Sequence, residues 1–165
     1  MGKRHVVHTG GACKNSGGSS PKGAIGVHSA RSNISERLPA SMGRHTSSMA
    51  EHAAINRGLK SAPHDGKPVA IKTDAQSCQK TLSGGGRAQQ SASSGGGNKS
   101  GGGKSAEQAL VRDTMREAGQ GRSEGQNVHF EHVKSGGSAG NVLAHELAQQ
   151  ALQPGQARSK PTNGH

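Results

Sequence analysis

The stretch VAIKTDAQ, residues 69–76, joins a short apolar segment to an acidic residue. Val69 and Ile71 alternate with other residues, and this two-residue period predicts a β-strand over residues 67–73. Asp74 follows directly, where the end of a strand projects a carboxylate from the sheet. An aspartate after a strand is most often a turn residue, so Asp74 becomes a candidate site residue only together with others.

Three further strands are predicted upstream of this stretch. Residues 4–9 are short and rich in β-branched side chains, residues 24–28 alternate small and apolar residues, and a Gly/Ser/Pro loop over residues 10–23 separates the two segments. Residues 33–39 favour a third, antiparallel strand, and Pro39 ends it because proline cannot donate to a sheet ladder. The sheet therefore begins as three antiparallel strands.

Helices and one more strand complete the pattern. Ser47 or Ser48 caps a helix that runs to about Ser61, where Ala62 and Pro63 stop it. A short helix over residues 76–82, a helix over residues 105–118, a strand over residues 128–133 and a helix over residues 139–152 follow. The order predicts an α/β fold with a mixed five-stranded sheet, in which parallel strands join the antiparallel ones.

The chain length predicts one domain, over residues 1–153. Residues 83–104 contain three Gly-Gly-Gly runs among serine and glutamine, which indicates a flexible loop. Residues 154–165 are predicted to be a disordered tail.

The chain is strongly basic and poor in large apolar residues. Twenty-one Lys and Arg stand against ten Asp and Glu, which gives a net charge of +11. Such an excess favours a polyanionic partner, because neutralising phosphates releases condensed counterions. Leu, Ile, Val and Phe together supply only 20 of 165 residues, and Phe130 is the one aromatic residue. We therefore expect a folded state of low stability.

Neither cysteine chemistry nor targeting adds a function. Cys13 and Cys78 are the only cysteines, so no disulfide framework is predicted. No signal peptide is recognised at the start, and no apolar run reaches the length of a membrane span. We expect an intracellular protein, cytoplasmic or nuclear, that has no membrane partner.

Four segments in fixed order resemble the catalytic domain of type 1 ribonuclease H, in its eukaryotic form. They are VHTGGAC at residues 7–13, MAE at residues 49–51, VAIKTD at residues 69–74 and GNVLAHELA at residues 140–148. Three weaker matches lie at residues 33–39, 58–63 and 130–134. The resemblance extends over residues 4–152, and it implies the ribonuclease H fold.

The resemblance implies an endonuclease that hydrolyses the RNA strand of RNA–DNA hybrids. In that family four carboxylates hold two Mg²⁺ ions. Glu51 and Asp74 occupy two of these four catalytic and metal-binding places, while Gly10 and His145 occupy the other two. We therefore expect impaired cleavage and at most one weakly held metal ion, Mg²⁺ or Mn²⁺.

The resemblance also implies substrate-binding positions. Cys13, Arg44 and Thr46 match residues that contact the hybrid in the family, and Asn15 or Ser16 stands where an asparagine contacts the substrate backbone. The loop over residues 83–104 stands in place of the family's basic protrusion and lacks its tryptophans.

Three alternatives remain open at this level. The first is a monomeric hybrid nuclease of reduced activity. The second is an inactive basic relative that binds nucleic acid, and the third is a degenerate product that is largely disordered.

Overall fold

The computed structural model describes residues 3–14, 21–39, 45–84 and 102–153. Within these residues lie five strands: β1 (His5–Lys14), β2 (Lys22–Ser29), β3 (Asn33–Arg37), β4 (Val69–Thr73) and β5 (Val128–His132). The helices are α1 (Ser47–Ser61), α2 (Gln76–Gly84), α3 (Gly102–Ser123) and α4 (Ala139–Leu152). The predicted order of elements is confirmed.

The strands form one mixed sheet in the order β3-β2-β1-β4-β5. Strand β1 pairs antiparallel with β2 and parallel with β4, and β5 joins β4 in parallel. Thr9 of β1 lies beside Thr73 of β4, so Asp74 leaves the sheet next to Gly10. The predicted α/β fold with three antiparallel strands and two parallel additions is confirmed.

Strand β1 is longer than the sequence predicted. Gly10 and Gly11 were assigned to a loop, but they lie inside β1, where Gly10 pairs with Gly26 of β2. Glycine has little intrinsic preference for strands, so local pattern misses these residues. Cross-strand pairing and the helices that pack on the two glycines keep them extended.

Helix α1 begins one residue earlier than predicted. The cap is Thr46, rather than Ser47 or Ser48, and its side-chain oxygen accepts a hydrogen bond from the backbone N of Met49 over 3.0 Å. Helix α4 has the predicted bounds, and Ser138 caps it in the same way.

The two faces of the sheet carry different kinds of packing. One face packs on α1, α2 and α3 through an apolar cluster that includes Val7, Val27, Ile55, Leu59, Val69, Ile71, Leu82, Val111, Val128 and Phe130. The other face packs on α4 through small residues, of which Ala144, Ala148 and Ala151 are buried. Small residues let the backbone of α4 approach the sheet closely.

The predicted low-complexity loop is shorter than residues 83–104. Helix α2 runs to Gly84 and helix α3 begins at Gly102, so both ends of the predicted loop are helical. Residues 85–101 and the predicted tail at residues 154–165 lie outside the described residues. No helix in the described part of the chain is long and apolar enough to cross a membrane.

Candidate metal centre

Three side chains from three separate elements meet beside the end of β4. Glu51 comes from α1, Asp74 from the residue after β4, and His145 from α4. Each offers one ligand atom, and these atoms all lie within 4.8 Å of one another. Among the described residues this is the one group of three or more acidic, histidine or cysteine side chains with such spacing.

His145 and Asp74 form the tightest contact of the group. The Nε2 atom of His145 lies 2.7 Å from Oδ2 of Asp74, and the side chains are 30% and 8% exposed. A carboxylate can only accept, so this nitrogen carries the proton and donates. The imidazole therefore lies against the carboxylate, at the place that the resemblance gives to a fourth carboxylate.

Glu51 is held by the backbone of β1. The N–H of Gly11 donates to Oε1 of Glu51 over 3.1 Å. A Cβ atom on residue 11 would lie 2.6 Å from backbone atoms of Ala50 and Glu51, so glycine is needed for this close approach. The hydrogen bond fixes the carboxyl group toward Asp74.

The protonation of Glu51 depends strongly on its surroundings. The pKa of Glu51 is raised to about 8, first by burial and then by the negative charge of Asp74, while the hydrogen bond from the Gly11 N–H acts in the opposite direction. A carboxyl group with this pKa holds a proton at neutral pH in the absence of a cation. A metal ion between Glu51 and Asp74 would favour the charged form.

Helix α4 packs tightly against Gly10, the position to which the resemblance gives a carboxylate. A Cβ atom on residue 10 would lie 3.2 Å from the backbone N of His145 and 3.3 Å from its Cγ. The helix is held there because it also lies on Gly26, the partner of Gly10, where a Cβ atom would be 2.0 Å from the carbonyl oxygen of Ala144.

The donor set does not fit two magnesium ions. Two carboxylates and one imidazole carry half the negative charge of four carboxylates, and a nitrogen donor is a poor ligand for Mg²⁺. Gly10 supplies no carboxylate at the position to which the resemblance gives one, and helix α4 packs closely on it. Glu146 offers no replacement, because its side chain is exposed on the outer side of α4.

The other predicted site residues lie apart from this group. Thr46 is the cap of α1, and Cys13 lies on β1 on the same face as Gly11, with Sγ 3.9 Å from the carbonyl oxygen of Lys14. Asn15, Ser16 and Arg44 lie outside the described residues. Their proposed contacts with substrate stay predictions.

A partly buried polar cluster beside the site was missed by sequence analysis. Ser48 donates to Glu107 of α3, and His52 Nε2 lies 3.8 Å from the same carboxylate. The pKa of Cys78 is raised to about 12, mainly by burial and then by the negative charges of Glu51 and Glu107. These residues are far apart in sequence, and no local motif signals their contact.

The fold and the site define a ribonuclease H-like protein. The RNase H family model matches residues 2–153, and the chain belongs to the RNase H family. Proteins of this family generally depend on divalent metal ions. A comparison with curated proteins found no significant match.

Solved structures share the fold at low sequence identity. RNase H1 from the halophilic archaeon Halobacterium salinarum NRC-1 is 19% identical, with a TM-score of 0.56, over 91% of this chain and 98% of that one. The PFV RNase H domain is 22% identical, with a TM-score of 0.63, over 89% and 93%. A foamy viral protease–reverse transcriptase solved with an RNA/DNA hybrid is 20% identical, with a TM-score of 0.57, over 88% and 19%.

Proposed function

We propose that this protein binds RNA–DNA hybrids and that its hydrolysis of the RNA strand is impaired. The observation that supports this function best is the meeting of Glu51, Asp74 and His145 at the end of β4, in a chain of the RNase H family. Family membership and fold favour a hybrid nuclease in general. The altered ligands are the reason for impairment.

We infer that substrate binding depends more on the positive charge of the chain than on Glu51, Asp74 and His145. The chain carries a net charge of +11, which favours phosphate backbones. A structural neighbour was solved with an RNA/DNA hybrid, and another with double-stranded DNA. We infer that this chain contacts phosphates and 2′-hydroxyls of the hybrid, with RNA distinguished from DNA by the hydroxyl groups.

Cleavage is expected to be impaired because the side chains around the reacting phosphate supply too little negative charge to hold the metal ions. Asp74 is held by His145, and Glu51 is protonated at neutral pH unless a cation lies close. The carboxylate that the resemblance gives to residue 10 is absent, and α4 packs closely on that residue. Fewer charges are available to stabilise a phosphodiester transition state, so the rate falls.

The close packing of α4 on Gly10 also favours a second function. If α4 closes the site against a catalytic metal arrangement, the chain is an inactive relative that still binds nucleic acid. Binding then depends steeply on salt while no product forms. A degenerate chain shows neither salt-dependent hybrid binding nor cooperative unfolding.

The test is cleavage of an end-labelled RNA–DNA hybrid in Mg²⁺ and separately in Mn²⁺, beside a salt series of hybrid binding. Asp74→Ala is the variant that removes site chemistry, and Glu146→Ala is its matched control, because Glu146 is exposed and adjacent to His145. We expect slow cleavage that Asp74→Ala abolishes and Glu146→Ala keeps. Cleavage that survives in Asp74→Ala overturns the assignment of the site.

A further inference from the structure

The ligand atoms of Glu51, Asp74 and His145 lie close enough together to bind one ion. All three atoms lie within 4.8 Å of one another, and the contact between Nε2 of His145 and Oδ2 of Asp74 is 2.7 Å. A proton now lies between the two groups. A single cation that replaces this proton can bind the nitrogen and the oxygen together.

Helix α4 lies close to the β1 side of this group. Residue 10 has no side chain, and the backbone of α4 stands 3.2 to 3.3 Å from the position of its Cβ atom. The packing of α4 on Gly26 prevents the helix from moving outward without loss of contact. The change from carboxylate to glycine and the change to His145 are therefore linked in space.

The charges also match one divalent ion. The carboxylates of Glu51 and Asp74 supply two negative charges, and a neutral imidazole supplies none. Together they balance the two positive charges of a single ion. The N–H of Gly11 donates to Oε1 of Glu51 and leaves Oε2 available to bind the ion. Hydrogen bonds of this kind commonly orient carboxylates that bind a metal.

The chemistry of the donors selects the metal. Mg²⁺ takes oxygen ligands in near-octahedral geometry and retains several waters, whereas Zn²⁺ combines imidazole with carboxylates and keeps an open position beside three protein ligands. Nitrogen donors also favour later first-row ions. We propose that Glu51, Asp74 and His145 form a one-ion site that takes Zn²⁺, or Co²⁺ as its spectroscopic substitute, in preference to Mg²⁺.

This site uses the residues of the proposed function, but it requires no cleavage. Metal binding is measured without nucleic acid, so an inactive protein still tests the inference. Conversely, a chain that prefers Mg²⁺ refutes this inference. Hybrid binding and cleavage are tested separately by their own assay, so that result leaves the proposed function unaffected.

The experiment is a titration of the metal-free full chain with Co²⁺, read by visible absorption, followed by competition with Zn²⁺ and with Mg²⁺. Ten histidines provide background binding, so His129→Ala, which removes an exposed imidazole on β5, is the matched control for His145→Ala. We expect one tight equivalent in the natural chain and in His129→Ala. His145→Ala loses affinity by about tenfold or more.

Two additional measurements keep the test decisive. Asp74→Asn replaces the oxygen partner at constant size, and we expect the same loss of Co²⁺ affinity. X-ray absorption of the Zn²⁺ complex of the natural chain counts imidazole ligands without any variant, and we expect one. Unchanged affinity in folded His145→Ala, displacement of Co²⁺ by equimolar Mg²⁺, or absence of an imidazole in the Zn²⁺ complex overturns the proposal.

Discussion

Gly10 and Gly26 face each other across strands β1 and β2, and the backbone of helix α4 lies directly on this pair. The close approach brings His145 over Gly10 and within 2.7 Å of Asp74. The metal-binding group and the packing of α4 thus depend on the same two glycines.

Substitution of Gly26 by Ala is expected to destabilise the fold, because the new Cβ atom would lie 2.0 Å from the carbonyl oxygen of Ala144. Overpacking of this kind costs about 1–3 kcal/mol. Gly119→Ala is the control: Gly119 is exposed on α3, a Cβ atom there meets nothing within 4 Å, and alanine gains helix propensity of about 1 kcal/mol.

Denaturant unfolding of both variants measures the difference. We expect Gly26→Ala to lower the unfolding free energy and Gly119→Ala to raise it. Equal stability of the two variants would contradict the packing of α4 on β2.

Gly10 and His145 are expected to be coupled. Gly10→Asp alone places its side chain against the imidazole of His145 and the backbone of α4, so it destabilises the fold by about 1–3 kcal/mol. Adding His145→Asp removes the ring, although the contact with the backbone remains. A double-mutant cycle on unfolding free energy should therefore give a nonzero interaction energy, and additive effects would show that the two residues do not compete for space.

The pH dependence of stability should reveal Glu51. Its pKa is raised from 4.5 to about 8, so the folded chain retains a proton that the unfolded chain releases. The resulting stability is fully present below pH 4.5 and is lost as the pH rises through 8. The loss between pH 5 and pH 8 is on the order of 3 kcal/mol.

Glu51→Gln isolates this contribution from those of other groups. Burial lowers the pKa of His52, which gives the opposite slope, so the informative quantity is the difference between the natural chain and Glu51→Gln. With a chelator present, we expect the unfolding free energy of the natural chain to fall relative to that of Glu51→Gln as the pH rises from 5 to 8. A difference that stays constant would mean that Glu51 is ionised throughout.

Removal of the cap on α1 should weaken the fold modestly. Thr46→Ala leaves the N–H of Met49 without its partner and is expected to cost about 1 kcal/mol. Thr46→Ser keeps the hydroxyl group and should retain most of the stability in thermal unfolding. A hybrid affinity that falls in folded Thr46→Ala, but not in Thr46→Ser, would support the substrate contact that the resemblance implies.

Local sequence pattern predicted those elements whose signal is local. Val69 and Ile71 alternate within β4, and the apolar residues Val142, Leu143 and Leu147 recur in α4, so both elements were predicted to within two residues. Gly10 and Gly11 were placed in a loop because their strand conformation depends on Gly26 and on the helices above and below.

The sequence predicted which positions form the site, but it did not predict the distances and contacts between their side chains. Glu51 and Asp74 were identified through the family resemblance, and His145 was read as a vacated place. The contact between His145 and Asp74 joins residues 71 positions apart, and it depends on how closely α4 approaches the sheet. Sequence spacing contains no information on that approach.

We propose that the changes at residues 10 and 145 limit an RNase H site whose scaffold is otherwise in place. The most direct measurement is the rate of hybrid cleavage in Mg²⁺ by Gly10→Asp/His145→Asp, compared with the natural chain and with the same double variant carrying Asp74→Ala. We expect a gain in rate that the third substitution abolishes. A folded double variant with no gain would show that residues 10 and 145 do not limit cleavage.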